Sequence, residues 1–243
     1  MTRRLFLLLA VSLFQVVPSD GPAFVAAAKR LPAGAVQQRL LDTTQRRLLD
    51  STLFEGPDRD RWQRPDYIMD ALGIADGAVV ADIGTGRGWF AVRLARRVGP
   101  RGLVVAEDIL PEMLDAVERR ASREGWTNVE TVLGTPDDPK LTPGRFDAVL
   151  VVDTYHEVEN GPALLGHLRD ALKPSGRLGI VDYRTDGGGP GPPTDNRIDA
   201  DAVIRDAEGA GLTLLTRDSS LPFQYLLIFA LPPSASRDAP TLR

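Results

Sequence analysis

Apolar positions along this chain fall into short runs that alternate with longer, periodic stretches. Ala78–Asp82, Leu103–Ala106, Val129–Leu133, Phe146–Val152 and Arg177–Asp182 are compact runs bounded by turn residues, the pattern of buried strands. Between them the period changes to that of a helix. Trp89–Val98 is such a stretch, stopped by Gly99-Pro100. Pro111–Glu124 opens on proline and carries Glu112 in its first turn, where the helix dipole favours an acid. Pro162–Leu172 sets Leu164, Leu165, Leu168 and Leu172 on one stripe. Asp199–Gly209 is a further helix, followed by strands near Leu212–Thr216 and Gln224–Leu231. Alternating strands and helices imply a parallel sheet covered on both faces. The link Arg217–Phe223 is too short for a crossover helix, so the last two strands pair antiparallel. The expected fold is α/β: a doubly wound, mostly parallel seven-stranded sheet with one reversed strand at its end, near the C-terminus.

The segments before this alternation read differently. Residues 33–53 have leucines at helical spacing with Arg and Gln between them, a lead-in helix; residues 55–64 are polar and loop-like. Pro65 opens a helix that ends near Gly73. Met1–Arg4 is basic, Leu5–Val17 is apolar, and small residues follow up to Ala28. That is the layout of a secretory signal, and it is shorter than the roughly 20 residues of a membrane span. The expected organisation is a signal peptide or membrane anchor over 1–28, a helical lead-in over 29–60, the main domain over 61–231 and a loose tail over 232–243. The protein is then exported (periplasmic or secreted) or membrane-associated through its N-terminal segment, with a cytoplasmic location as the alternative.

Composition narrows the chemistry. The balance of 43% hydrophobic and 26% charged residues is that of a globular protein. The net charge is −4, but residues 1–47 carry seven Lys/Arg against two Asp/Glu, so the remainder is more acidic still. An acidic domain without a basic stripe disfavours a nucleic-acid partner. There is no cysteine, which excludes disulfides, zinc–thiolate and iron–sulfur sites, and thiol nucleophiles.

The strongest local signal is Val79-Val80-Ala81-Asp82-Ile83-Gly84-Thr85-Gly86-Arg87-Gly88-Trp89. An apolar strand runs into Asp82, then three alternate glycines, then a helix. Such a loop lets backbone approach a ligand closely, and the helix start adds unpaired N–H donors. A dinucleotide fingerprint needs G-x-G-x-x-G, and here Trp89 stands at the third glycine position. A P-loop needs Gly-Lys-Ser/Thr, which is absent. The pattern D-x-G-x-G-x-G that remains is one associated with S-adenosylmethionine (SAM).

Three later segments agree in order and spacing. Residues 102–114 (GLVVAEDILPEML), 146–157 (FDAVLVVDTYHE) and 171–182 (ALKPSGRLGIVD) resemble successive motifs of the class I SAM-dependent methyltransferases, nearest in look to those of quinone biosynthesis and their small-molecule relatives. The resemblance runs from about Arg61 to Leu231 and implies a Rossmann-like fold with SAM as cofactor. It assigns Asp82, Gly84, Thr85, Gly86 and Gly88 to the amino-acid part of SAM and Asp108 with Ile109 to the ribose. Thr135 stands where the family often has an adenine-binding acid, and Asp137 follows two residues later. The implied activity is methyl transfer to a small-molecule acceptor by direct displacement. A SAM-binding scaffold without turnover, or a nicotinamide oxidoreductase, are the alternatives.

An acceptor that must lose a proton needs a base. The candidates follow the fourth strand: Asp153, Tyr155, His156 and Glu157, with His156 able to take a proton near neutral pH. Asp153 and Asp182 stand at strand ends on one rim, a pair that could hold Mg²⁺ in catechol-type methyltransferases. Tyr183 follows here where that group has Asn, so a metal-independent reaction is expected. Trp62 and Arg64 are candidates to close over the cofactor.

Overall fold

The computed structural model describes residues 58–233. The expected signal segment 1–28, the lead-in helix 33–53 and the tail from 234 onward lie outside the described residues. Among the described residues, no helix is long and apolar enough to cross a membrane.

Seven strands form one sheet in the order β3-β2-β1-β4-β5-β7-β6. They are β1 (Val79–Ile83), β2 (Leu103–Asp108), β3 (Val129–Leu133), β4 (Phe146–Val152), β5 (Leu172–Tyr183), β6 (Thr213–Asp218) and β7 (Gln224–Ala230). Side chains alternate across the sheet. Val80, Ala148, Leu150 and Val152 face one core with α2 (Pro65–Ala71), α3 (Trp89–Val98) and α4 (Pro111–Glu124). Ala81, Val149 and Val151 face a second core with α5 (Gly161–Ala171) and α6 (Ala200–Gly209). The doubly wound expectation holds.

One strand near the C-terminus is reversed, as expected. β7 pairs antiparallel with both β5 and β6, so it lies one place in from the edge. Burial explains the order: β7 (QYLLIFA) is buried along almost its whole length, whereas β6 (TLLTRD) is largely exposed and carries the charged residues an edge tolerates. β5 begins at Leu172, earlier than the apolar pattern implied, because Leu172 already pairs with Phe146 before a bulge brings Arg177 opposite Ala148. β2 runs on through Glu107 and Asp108, both buried despite their charge.

The polar stretch 55–64 is not all loop. Arg59–Gln63 forms a short helix, α1, ended by Arg64 at φ 51° and ψ 61°. Polarity misled here because these side chains are held by partners distant in sequence: Arg59 and Gln63 both reach Asp153, and Gln63 also donates to Gln224.

Candidate functional site

The carboxyl ends of β1, β2, β4 and β5 surround a cavity of about 150 Å³. Parallel strands of this kind leave their ligand crevice at that edge. Its walls include Asp82, Gly84, Thr85, Gly86, Asp108, Asp153 and His156, together with Arg59, Trp89 and Tyr183.

The glycine loop turns sharply after β1. Gly84 has φ 62°, and a Cβ there would come within 2.3 Å of Thr154 Cγ2. Its amide points at Glu107 Oε2 (3.4 Å), and Thr85 N donates to the Glu107 carbonyl (2.9 Å). Gly86, at φ 56°, has nothing within 4 Å of its missing Cβ and stands open. Gly88 serves packing: it caps α3, and a Cβ there would press on Val117.

Two buried acids flank the loop. Asp82 is 2% exposed and accepts from Thr85 Oγ1 at 2.6 Å. Burial outweighs that hydrogen bond and the Arg59 charge, and pushes the carboxyl up to about 7. Asp108 is 3% exposed, with one oxygen on Gly86 N and the other on Leu110 N, both at 3.0 Å. A carboxylate so fixed, beside an open glycine, has lone pairs to accept from a vicinal diol. Ile109 is half-buried next to it, whereas Asp137 is exposed in the turn after β3 and is not part of the cavity wall.

The opposite wall carries Asp153, which follows β4 directly at φ 55°, an uncommon conformation for a residue with a side chain and one that recurs at functional sites. Its carboxylate accepts from Arg59 Nη2 (3.0 Å), Gln63 Nε2 (3.1 Å) and Gln224 Nε2. Burial raises it to about 6; the Arg59 charge opposes the rise and Asp182 adds to it.

His156 stands on the short 3₁₀ turn Tyr155–Glu157. Its Nδ1 lies 2.9 Å from Asp182 Oδ1, and its backbone N donates to Asp182 Oδ2 at 3.0 Å. Asp182 is fully buried at the end of β5. With Nδ1–H given to Asp182, Nε2 is the nitrogen left to exchange a proton. Burial works against the imidazolium, but the hydrogen bond and charge of Asp182, aided by Glu157 and Asp153, prevail and raise His156 above its ordinary value. Tyr155 is not part of this wall: it is buried in the second core, and its hydroxyl donates to Asp206 at 3.0 Å. Of the four candidate bases, the fold thus brings Asp153, His156 and Glu157 to the cavity and turns Tyr155 away.

Sequence reading missed three features. Arg59 belonged to a segment read as loop. The His156–Asp182 pair joins two residues named separately, 26 positions apart. Tyr183 is 1% exposed, and its hydroxyl has no hydrogen-bond partner. Trp62 packs on both Tyr183 and Phe223, with ring centroids 6.2 and 6.1 Å apart. Trp62 thus packs against a residue of the cavity wall without lining the cavity itself, and Arg64 stacks on Tyr67 outside it.

Comparison with known proteins agrees with this geometry. Residues 80–176 match a family model described as a methyltransferase domain. The nocamycin O-methyltransferase of Saccharothrix syringae is 32% identical over 126 residues, 52% of this chain and 42% of that protein. A ubiquinone/menaquinone biosynthesis C-methyltransferase of Pseudomonas putida is 31% identical over 137 residues, 56% of this chain and 52% of that protein. The chain thus spans about half the length of these curated relatives. A SAM-dependent methyltransferase from Aquifex aeolicus shares the fold, with a TM-score of 0.70 at 24% identity over 73% of this chain and 95% of that one.

Proposed function

We propose that this protein is a class I SAM-dependent methyltransferase that transfers a methyl group from SAM to a small-molecule acceptor; the match of residues 80–176 to a methyltransferase-domain model supports the reading. The observation that carries the proposal is the convergence on one cavity of a glycine loop, a buried ribose-type acid and a histidine–aspartate pair. The donor set fits the cofactor: Asp108 offers lone pairs for a diol, and Gly86 leaves open space where a side chain would stand.

SAM supplies a methyl carbon already activated on a sulfonium, so alignment and exclusion of water are what the protein must add. Tyr183 walls the site with the Trp62 ring packed against it, and Asp108 fixes the glycine loop through the Gly86 amide. His156 Nε2 takes the proton that the acceptor's attacking atom gives up, while Asp182 stabilises the imidazolium through Nδ1. An acceptor hydroxyl or amine fits this arrangement; the O-methyltransferase name of one relative agrees with the first. Both carboxylates of the pair considered for Mg²⁺ are engaged by protein donors, Asp182 by His156 and Tyr183 N, Asp153 by Arg59, Gln63 and Gln224. We therefore assign them to positioning rather than to a metal.

The test is turnover. The full chain is incubated with methyl-labelled SAM and a panel of phenols, hydroxy acids and amines, and S-adenosylhomocysteine is quantified. Acceptor-dependent product supports the proposal; tight SAM binding with no transfer to any class would favour a scaffold instead.

A further inference from the structure

Methyl transfer to a hydroxyl or amine leaves one proton behind per turnover. The positive charge of the sulfonium is discharged, and the acceptor's proton, taken up by His156 Nε2, is the charge that remains. It must leave the imidazole before the next turnover. His156 is poorly placed to shed it alone, because its side chain is only 7% exposed.

Three acids act on this imidazole: Asp182, Glu157 and Asp153. Asp182 faces Nδ1 and has a side chain 0% exposed, so it gives no path to solvent. Its hydrogen bond and charge favour uptake of the proton and therefore oppose its release. Asp153 is occupied by Arg59, Gln63 and Gln224. Glu157 differs from both. It follows His156 on the same 3₁₀ turn and lines the same cavity. Its Oε1 lies 3.9 Å from His156 Nε2, and its side chain is 32% exposed. The imidazole thus stands between two carboxylates, the one facing Nδ1 fully buried and the one facing Nε2 open to solvent.

We propose that Glu157 is the proton exit of the site: it takes the proton from His156 Nε2 and passes it to solvent. The Nε2–H bond breaks, its electron pair stays on the imidazole, and an O–H bond forms on the Glu157 carboxylate. Water then takes the proton and restores the carboxylate. The carboxylic acid is a transient, because a carboxylate holds a proton less firmly than an imidazole does. The gap of 3.9 Å exceeds the ~2.8 Å of a charge-assisted hydrogen bond; rotation about the Glu157 side-chain torsions, or one bridging water, closes it. The two carboxylates divide the work, Asp182 fixing the tautomer for uptake and Glu157 serving release. The inference rests on the assignment of His156 as the base and adds to it the path by which the proton leaves.

The experiment reads proton loss from His156 directly, by carbon-13 relaxation dispersion at the imidazole Cε1 of the full chain, at a pH near the midpoint of its titration. The chain has two histidines, so His167, which is half-exposed, serves as the internal control. In Glu157→Gln the rate of proton loss from His156 should fall by about tenfold or more, since a positioned proton-transfer group contributes 10²–10⁴. Imidazole buffer should then restore the rate in proportion to its concentration, whereas wild type should be indifferent to it. A purely electrostatic role predicts the opposite sign: without the Glu157 charge the imidazolium is less stabilised and loses its proton faster. A smaller decrease, no change or an increase in Glu157→Gln therefore overturns the proposal. If that variant does not fold, Glu157→Asp, which keeps the charge but draws the carboxylate back by one methylene, takes its place: slower loss supports the relay, and the wild-type rate overturns it. Neither acceptor nor cofactor enters this measurement, so its failure leaves the methyl-transfer reading standing. If His156 does not titrate in the folded protein, its assignment as the base falls, and this inference with it.

Discussion

Replacing Asp82 by asparagine should make the protein more stable at alkaline pH and leave it little changed in acid. The carboxyl is 2% exposed, and it accepts a hydrogen bond from the Thr85 hydroxyl, which an amide oxygen accepts equally well. Burial raises its pKa from 3.8 to about 7. The folded state therefore holds the neutral acid better than the unfolded chain does. That contribution is complete below pH ~3.8 and is lost as the pH climbs through about 7. At about 1.4 kcal/mol per pH unit, the whole span amounts to roughly 4 kcal/mol, of which about 3 falls between pH ~5 and pH ~8.5. The amide does not titrate and avoids the loss. Urea unfolding of wild type and Asp82→Asn near those two pH values measures it directly, because other groups, Asp153 included, titrate in both proteins. The variant should gain on wild type by about 3 kcal/mol on going from the acidic to the alkaline condition. A stability difference that is the same at both pH values would refute the reasoning, and would mean that water or Arg59 keeps Asp82 ionised in the fold.

Three other substitutions probe separate parts of the site. His156→Ala should lower the methyl-transfer rate by about 10²–10⁴ at neutral pH while SAM affinity holds; in wild type the rate should rise with pH through a value above the ordinary histidine range, because Nε2 must be free of its proton, and a flat profile would exclude His156 as the base. Gly84→Ala should destabilise the fold by at least about 2 kcal/mol in a thermal or urea melt, since a side chain at φ 62° is strained and its Cβ would lie 2.3 Å from Thr154 Cγ2. Tyr183→Phe removes a hydroxyl with no hydrogen-bond partner, so stability should hold or rise; a loss above about 1 kcal/mol would reveal a partner for that oxygen.

The fold was largely legible in the sequence because its core elements obey period. Trp89–Val98, Pro111–Glu124, Val129–Leu133 and Phe146–Val152 begin and end where the apolar pattern and the Gly and Pro signals put them. The position of β7 was not legible: an antiparallel link says that two strands pair, and only the full burial of QYLLIFA against the exposure of TLLTRD tells which lies inside. In the site, Asp82, the glycines and Asp108 could be read because they are consecutive in sequence and local in space. Arg59 could not, because nothing local marks it; it acquires its place from Asp153, 94 residues away. Tyr155 shows the converse failure. Its neighbours on the 3₁₀ turn diverge, and one position decides between the cavity (His156) and Asp206 in the second core. Composition carried no trace of that choice.

The central claim is that the crevice formed by the glycine loop and Asp108 holds SAM. Calorimetric titration of the full chain with SAM, with NADH as control and Asp108→Ala alongside, tests it most directly. The account predicts micromolar SAM binding, about tenfold or more weaker in Asp108→Ala because buried hydrogen bonds to a charged acceptor are lost, and no binding of NADH. Absence of SAM binding by the folded protein, or SAM affinity indifferent to Asp108, would contradict it.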